Sequence, residues 1–408
     1  MLVQVLFMAA LAGYGPWVSM GPEGGDIDAP VQSPLNSQEL WVLSGYNPTQ
    51  VAHSTDGGET WESISSFTGS TPYDMAACAN GNLVAAGSSR TWTSTDGGAS
   101  WNSNYSSNTI FYDLAAHPTD PAVVYAAGYA YDGAWKLAFM KSTNGGVSFS
   151  VTYIPLGGSY TYSYGRAVAV SASDPSVILV GGYGYSSTDA SYVPLVFRST
   201  DGGSSFTDVT PAEAASQYYF YGVGIHPLNP DIMLAGSLYS MYRSTDGGAS
   251  WTKVSANQTY NYGIAFSQSD PDLVLAAGMN RVYRSTNGGV TWTSIYAPFT
   301  GLTGMQWVVP DWSGGPGVYT GTSAGFYRSA DGGISWTQSN DGLLVGRVLA
   351  MERSQGWIFM NMQDMGVFRT PATGAVNWEE VTTPLSCGDF CDICADGDGT
   401  LLALEGTG

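Results

Sequence analysis

Charge is scarce in this chain of 408 residues, and positive charge is scarcest. Asp, Glu, Lys and Arg together make up 11%, with 33 acidic side chains against 13 basic ones. The formal charge of −20 repels phosphate backbones, and no segment is rich in Lys or Arg, which excludes nucleic acid and anionic membranes as partners. Histidine is rarer still. His53, His117 and His226 are scattered, so no nucleophile–base pair can be built around an imidazole. No apolar run reaches the length needed to cross a bilayer as a helix. No helical pattern of useful length exists either, which removes helical bundles.

What fills the chain is glycine (53), tyrosine (26) and tryptophan (13), within a hydrophobic share of 44%. That is enough for a sizeable core, built from short strands and tight turns. Residues 2–12 (LVQVLFMAALA) are apolar and end in Ala10-Leu11-Ala12, a small-x-small cleavage pattern. A signal peptide over 1–12 is the expectation, and with it a secreted or cell-surface location.

One octet recurs seven times: STDGGETW at 54–61, STDGGASW at 94–101, STNGGVSF at 142–149, STDGGSSF at 199–206, STDGGASW at 244–251, STNGGVTW at 285–292 and SADGGISW at 329–336. The Asp or Asn positions are separated by 40, 48, 57, 45, 41 and 44 residues, the length of a four-stranded propeller blade. Within the octet, Asp or Asn accepts turn amides and Gly-Gly supplies positive φ, so the chain reverses into a hairpin. Before each octet lie an inner strand, a Pro-containing turn such as HPTDP at 117–121, and a small-residue strand such as VVYAAG or VILVGG. The pattern predicts an all-β chain, a β-propeller of four-stranded antiparallel blades.

These octets resemble the Asp-box (BNR) repeats of sialidases, sortilin-type receptors and xyloglucan-cleaving glycosidases. The resemblance covers nearly the whole chain and implies the fold; in those families the box lies in a peripheral hairpin, so it implies no site. After the seventh octet, 345–383 reads as an eighth unit whose box has decayed to Pro371-Ala372-Thr373-Gly374-Ala375-Val376-Asn377-Trp378, and 389–408 as the first strands of a ninth. The expected division is a propeller of about seven blades over 13–342 and the start of a second propeller over 343–408.

The sialidase chemistry implied by one branch of the resemblance needs an arginine triad. Arg198, Arg243, Arg284, Arg328 and Arg369 instead occupy one repeated position before the octet or its remnant. The TDVGG motif of the xyloglucan-cleaving branch is also missing. A glycosidase needs two carboxylates about 5–10 Å apart. Asp74 and Asp113 take one inner-strand position in consecutive units, where later units carry Ala167, Gly222 and Gly263. Cys387, Cys391 and Cys394 are expected to hold a disulfide of undetermined pairing, with Cys78 unassigned. Asp396-Gly397-Asp398-Gly399 lacks the earlier ligands of a calcium loop and reads as a turn. No metal and no cofactor is expected.

Loops entering the first strand of a unit, and those joining its second and third strands, should share one face. They carry Tyr129, Tyr131, Trp135, Tyr160, Tyr162, Tyr185, Tyr218 and Tyr219, rings with an apolar body and a polar tip suited to sugars or extended peptides. The leading expectation is a secreted, non-catalytic propeller that binds glycan or an extracellular protein there, or serves as a scaffold module with self-assembly open to it. The alternative is a polysaccharide-cleaving glycoside hydrolase using Asp74 and Asp113.

Overall fold

The computed structural model describes residues 24–404, apart from 46–48, 158–159, 187, 189, 217, 257–260, 297, 300–306, 312–314, 346–347, 355, 363–365, 374–377, 383–391 and 396–400. Residues 1–12 lie outside them.

Each of the seven octets folds into the same knot. The first Ser donates to the Asp or Asn side-chain oxygen two residues on, at 2.7–2.9 Å. Its Oγ accepts the N–H of the second Gly at 2.8–3.0 Å. The Asp or Asn oxygen accepts the N–H four residues further on at 2.8–2.9 Å. Both octet glycines keep φ between +64° and +89°, where any Cβ is strained. The knot joins the third and fourth strands of its sheet and also reaches the unit before it. Lys141, Arg243 and Arg284, each just ahead of its own octet, donate to the carbonyls of Gly202, Gly288 and Gly332 in the next one.

Among the described residues, six antiparallel four-stranded sheets span 27–67, 162–208, 220–256, 264–295, 309–338 and 348–382. Six such blades are present, not the seven expected, and one of the six, 348–382, lies beyond the last octet. The reason is local. Asn102–Ala116 is one unbroken strand of 15 residues, serving as the outer strand of the second unit and the inner strand of the third. Leu83–Ser94 likewise runs unbroken through the second and third strands of the second unit, so sheet 72–153 holds two units in six strands rather than eight.

The core lies between neighbouring sheets. Leu179 and Val196 of one sheet pack on Val223 and Ala235 of the next, and Phe139, Phe197 and Phe220 are fully buried. Each such ring contributes roughly 2–3 kcal/mol of burial. The first sheet is the neighbour of sheet 309–338. Gln32 Nε2 donates to Asp311 Oδ1 at 2.9 Å, Trp61 Nε1 to the Ser339 carbonyl at 3.1 Å, and Arg328 pairs with Glu59 at 2.9 Å. Gly24–Gly25 pairs in parallel with Leu344–Val345. In the tail, the described strands make one blade and the hairpin Asp392–Ala395 with Leu401–Leu404.

Candidate functional site

In four consecutive units the innermost strand carries one residue more than its partner. The pairing register skips Tyr73 between Pro72 and Asp74, Tyr112 between Phe111 and Asp113, Arg166 between Gly165 and Ala167, and Tyr221 between Phe220 and Gly222. A bulge of this kind re-aims its extra side chain. It also crowds the partner strand with a carbonyl. A Cβ on Gly87 would lie 2.5 Å from the Thr71 oxygen, and one on Gly128 or Gly182 would run into the Ile110 or Tyr164 oxygen. This accounts for the Ala-Ala-Gly and Val-Gly-Gly endings of those second strands.

The bulge residues meet one another. Tyr73 stacks on Tyr112 with centroids 5.8 Å apart, and the Arg166 guanidinium lies 4.0 Å over Tyr112 and 6.0 Å from Tyr221. A second row of rings backs them: Tyr129 on Tyr112 (5.7 Å) and Tyr164 (4.3 Å), Tyr164 on Tyr183 (5.3 Å), Tyr183 on Tyr219 (4.4 Å), and Tyr219 on Tyr221 (5.3 Å). Trp135 contacts Tyr129 and Tyr131, Tyr162 stacks on Tyr185 at 5.1 Å, and Tyr218 touches Tyr219. Seven of the eight expected aromatic residues thus belong to one continuous face, on which Tyr131 and Tyr218 are each 46% exposed. The eighth, Tyr160, lays its ring over Gly184.

Three of these phenols are held more firmly protonated than a free tyrosine. Burial raises Tyr129 and Tyr219, and a hydrogen bond with Tyr192, then burial, raises Tyr162. A tyrosinate is disfavoured at these three positions.

Asp74 and Asp113 each follow a bulge and are brought into contact. Asp74 Oδ2 accepts the Leu114 N–H at 2.7 Å, and Asp113 Oδ2 accepts the Val168 N–H at 2.7 Å, so each carboxyl pins the inner strand of the next unit. The two carboxyls also hydrogen-bond to each other. Burial, then the charge of Asp113, pushes Asp74 well above the usual carboxylate range, and burial lifts Asp113 to about 6. Asp74 therefore keeps its proton and donates it to Asp113. In the first unit Asp28 precedes the corresponding irregularity, where Ala29 has φ +45°. Burial, then the charge of Asp26, lifts Asp28 to about 7.

The sequence reading passed over Tyr73, Tyr112 and Arg166 as site residues. Their signal was the residue just before an inner-strand Asp or Ala, paired with a glycine closing the next strand. Cys387, Cys391 and the side chain of Cys394 lie outside the described residues. Cys78 is a free, buried thiol that burial pushes up to about 11.

Comparison with known proteins matches residues 52–63 to the BNR/Asp-box repeat and residues 195–309 to the family model described as Sortilin, neurotensin receptor 3. A xyloglucanase of Paenibacillus sp. is 28% identical over 174 residues, covering 36% of this chain and 16% of that protein. The crystal structure of an ancestral GH74 enzyme superposes with a TM-score of 0.70 at 16% identity, covering 96% of this chain and 60% of the other. YCF48 from Cyanidioschyzon merolae follows the same fold, with a TM-score of 0.54 at 15% identity, over 77% of this chain and 97% of its own. The chain thus spans about a sixth of its curated relative, and that relative is an enzyme. Its enzymatic kinship overturns the expectation of a non-catalytic propeller.

Proposed function

We propose, for a chain that is a BNR-type propeller, that it forms part of a secreted glycoside hydrolase acting on a polysaccharide of the xyloglucan kind. The continuous Tyr–Trp face carries this reading. Flat rings with hydroxyl tips match the alternating apolar faces and polar edges of a sugar chain. The kinship with a xyloglucanase supports it.

Within this proposal the proton donor is Asp28. A group lifted to about 7 holds a proton at neutral pH and can still release it, as a general acid must. Asp26, exposed and two residues earlier, is the second carboxyl. Side chains two apart on an extended chain are separated by about 6.5–7 Å, within the range of an inverting pair. Asp74 and Asp113, in hydrogen-bond contact, are closer than either glycosidase geometry. Their part is to hold the bulges that present Tyr73 and Tyr112. We further read the octet-bearing units as one ring, the tail as the start of a second, and residues 1–12 as the export signal.

The test incubates the protein with xyloglucan and follows reducing-end release together with protein depletion. Release that survives Asp74→Asn and is abolished by Asp28→Asn is the expected result. Loss of release in Asp74→Asn or Asp113→Asn alone would move the chemistry to that pair. Neither release nor depletion would overturn the hydrolase reading.

A further inference from the structure

Arginine is used sparingly in this chain, and most described arginines are committed. Arg198, Arg328 and Arg369 pair with Asp231, Glu59 and Glu379, while Arg243 and Arg284 hold octet carbonyls. Arg166 differs. It stands on a bulge in the middle of the tyrosine face and makes no ion pair among the described residues; its Nε, like that of Arg198, is buried without a hydrogen-bond partner. Tyr183 takes one hydrogen bond from it, and the rings of Tyr112, Tyr183 and Tyr221 lie within 4.0–6.0 Å of its guanidinium carbon.

A guanidinium resting against a ring keeps its N–H edge free to point sideways, and that edge is a planar fork matched to a carboxylate. A cation set among half-buried rings with no carboxylate of the described residues paired to it is unfavourable, so the site is arranged for an anionic acceptor that arrives with the ligand. The ligand that also suits the flanking rings is a sugar. With a formal charge of −20 the protein repels densely charged polyanions such as sulfated glycans, but tolerates one isolated carboxylate at one fixed cation.

We propose that Arg166 is a specificity residue for a uronic-acid unit, binding its carboxylate while Tyr112 and Tyr221 flank the sugar ring. The inference rests on the glycan reading of the tyrosine face and adds to it a uronic-acid unit carried on the polysaccharide.

The probes are a glucuronic-acid-bearing oligosaccharide and the same oligosaccharide with its carboxyl reduced to the alcohol, titrated calorimetrically into the whole chain. The wild type is expected to bind the acid at least about tenfold more tightly than the alcohol, with the difference shrinking at high salt. Arg166→Gln is expected to bind both equally, at the wild-type affinity for the alcohol, and Arg166→Lys to recover only part of the preference. A far-UV spectrum and thermal midpoint unchanged from wild type establish that each variant is folded. Should a variant not fold, the wild-type ratio and its salt dependence decide alone. Equal wild-type affinities would overturn the assignment of Arg166 and leave the glycan reading standing. Tighter binding of a sulfated oligosaccharide or of an acidic peptide than of the uronate would overturn it as well. Binding of no saccharide at all would overturn both.

Discussion

The hairpins joining the third and fourth strands and the innermost strands use the same side chain in opposite ways. In the hairpins Asp96, Asp201, Asp246 and Asp331 are exposed, and hydrogen bonds led by the Ser100, Ser205, Ser250 and Ser335 hydroxyls hold them down at about 2. On the innermost strands burial drives Asp28, Asp74 and Asp113 upward. The hairpin arrangement recurs in every octet and accepts Asn144 or Asn287 in place of Asp. The inner acids occur in the first three units alone. Repetition marks what every blade needs to fold, and departure from it marks where one face of the molecule is specialised.

The sharpest way to break the contrast is to remove a bulge. Gly128→Ala would drive a Cβ into the Ile110 carbonyl, a backbone group that cannot swing aside as the nearby Met140 methyl can. The expected cost is about 3 kcal/mol or more, read from the urea midpoint, because the strand must shift as a whole. Gly97→Ala is the control at an octet. No atom stands within 4 Å of its added Cβ, so its cost comes from the positive φ alone and is about 1 kcal/mol.

Asp74 gives the next largest effect. Asp74→Ala leaves the buried Leu114 N–H without its acceptor and Asp113 without its donor, for about 2–3 kcal/mol. Asp74→Asn keeps both bonds, since an amide oxygen accepts from Leu114 and an amide N–H donates to Asp113. It should sit near wild-type stability at pH 5.

Stability against pH separates the two sets of acids. Carboxyls raised in the folded state contribute most while protonated, so the inner acids lose stability as pH climbs from about 4 through 6 and 7. Carboxyls lowered in the folded state contribute above about 4, so the hairpins lose stability as pH falls toward 2. The thermal midpoint is expected to peak near pH 4–5 and to fall on both sides. Asp74→Asn should flatten the alkaline side and leave the acid side untouched. A midpoint that rises steadily from pH 4 to 8 would reject the inner-acid assignment.

The two regions also differ in how far the sequence reveals them. The octet can be read because its hydrogen bonds close within eight residues, so Ser199, Asp201 and Gly203 carry the whole instruction side by side. The bulge cannot be read that way. Whether Arg166 is skipped depends on which residue of the neighbouring strand faces Gly165, a relation set by pairing across the hairpin. Asp74 and Asp113 were legible as exceptions to a small-residue position, while their contact depends on how consecutive units pack. The fusion of two units through Asn102–Ala116 was equally hidden, because a tight connection between blades and a continuous strand have the same composition.

The smallest predicted effects test whether the hairpin carboxylate is needed as a charge at all. Ser199 is buried, and its hydroxyl both donates to Asp201 and accepts from Gly203, so Ser199→Ala should cost about 1–2 kcal/mol by orphaning the Gly203 N–H. Asp201→Asn should change the midpoint hardly at all near pH 7. In the third and sixth octets an amide already accepts the same N–H at 2.9 Å, and it donates to Ser148 and Thr291 where the carboxylate would accept from a hydroxyl. What Asp201→Asn removes is one titrating group, so the variant should resist acid better than wild type below pH 4. If Asp201→Asn instead destabilised as much as Ser199→Ala at neutral pH, the negative charge itself would be stabilising the hairpin, and the hairpin–inner-strand contrast would rest on charge rather than on hydrogen-bond geometry.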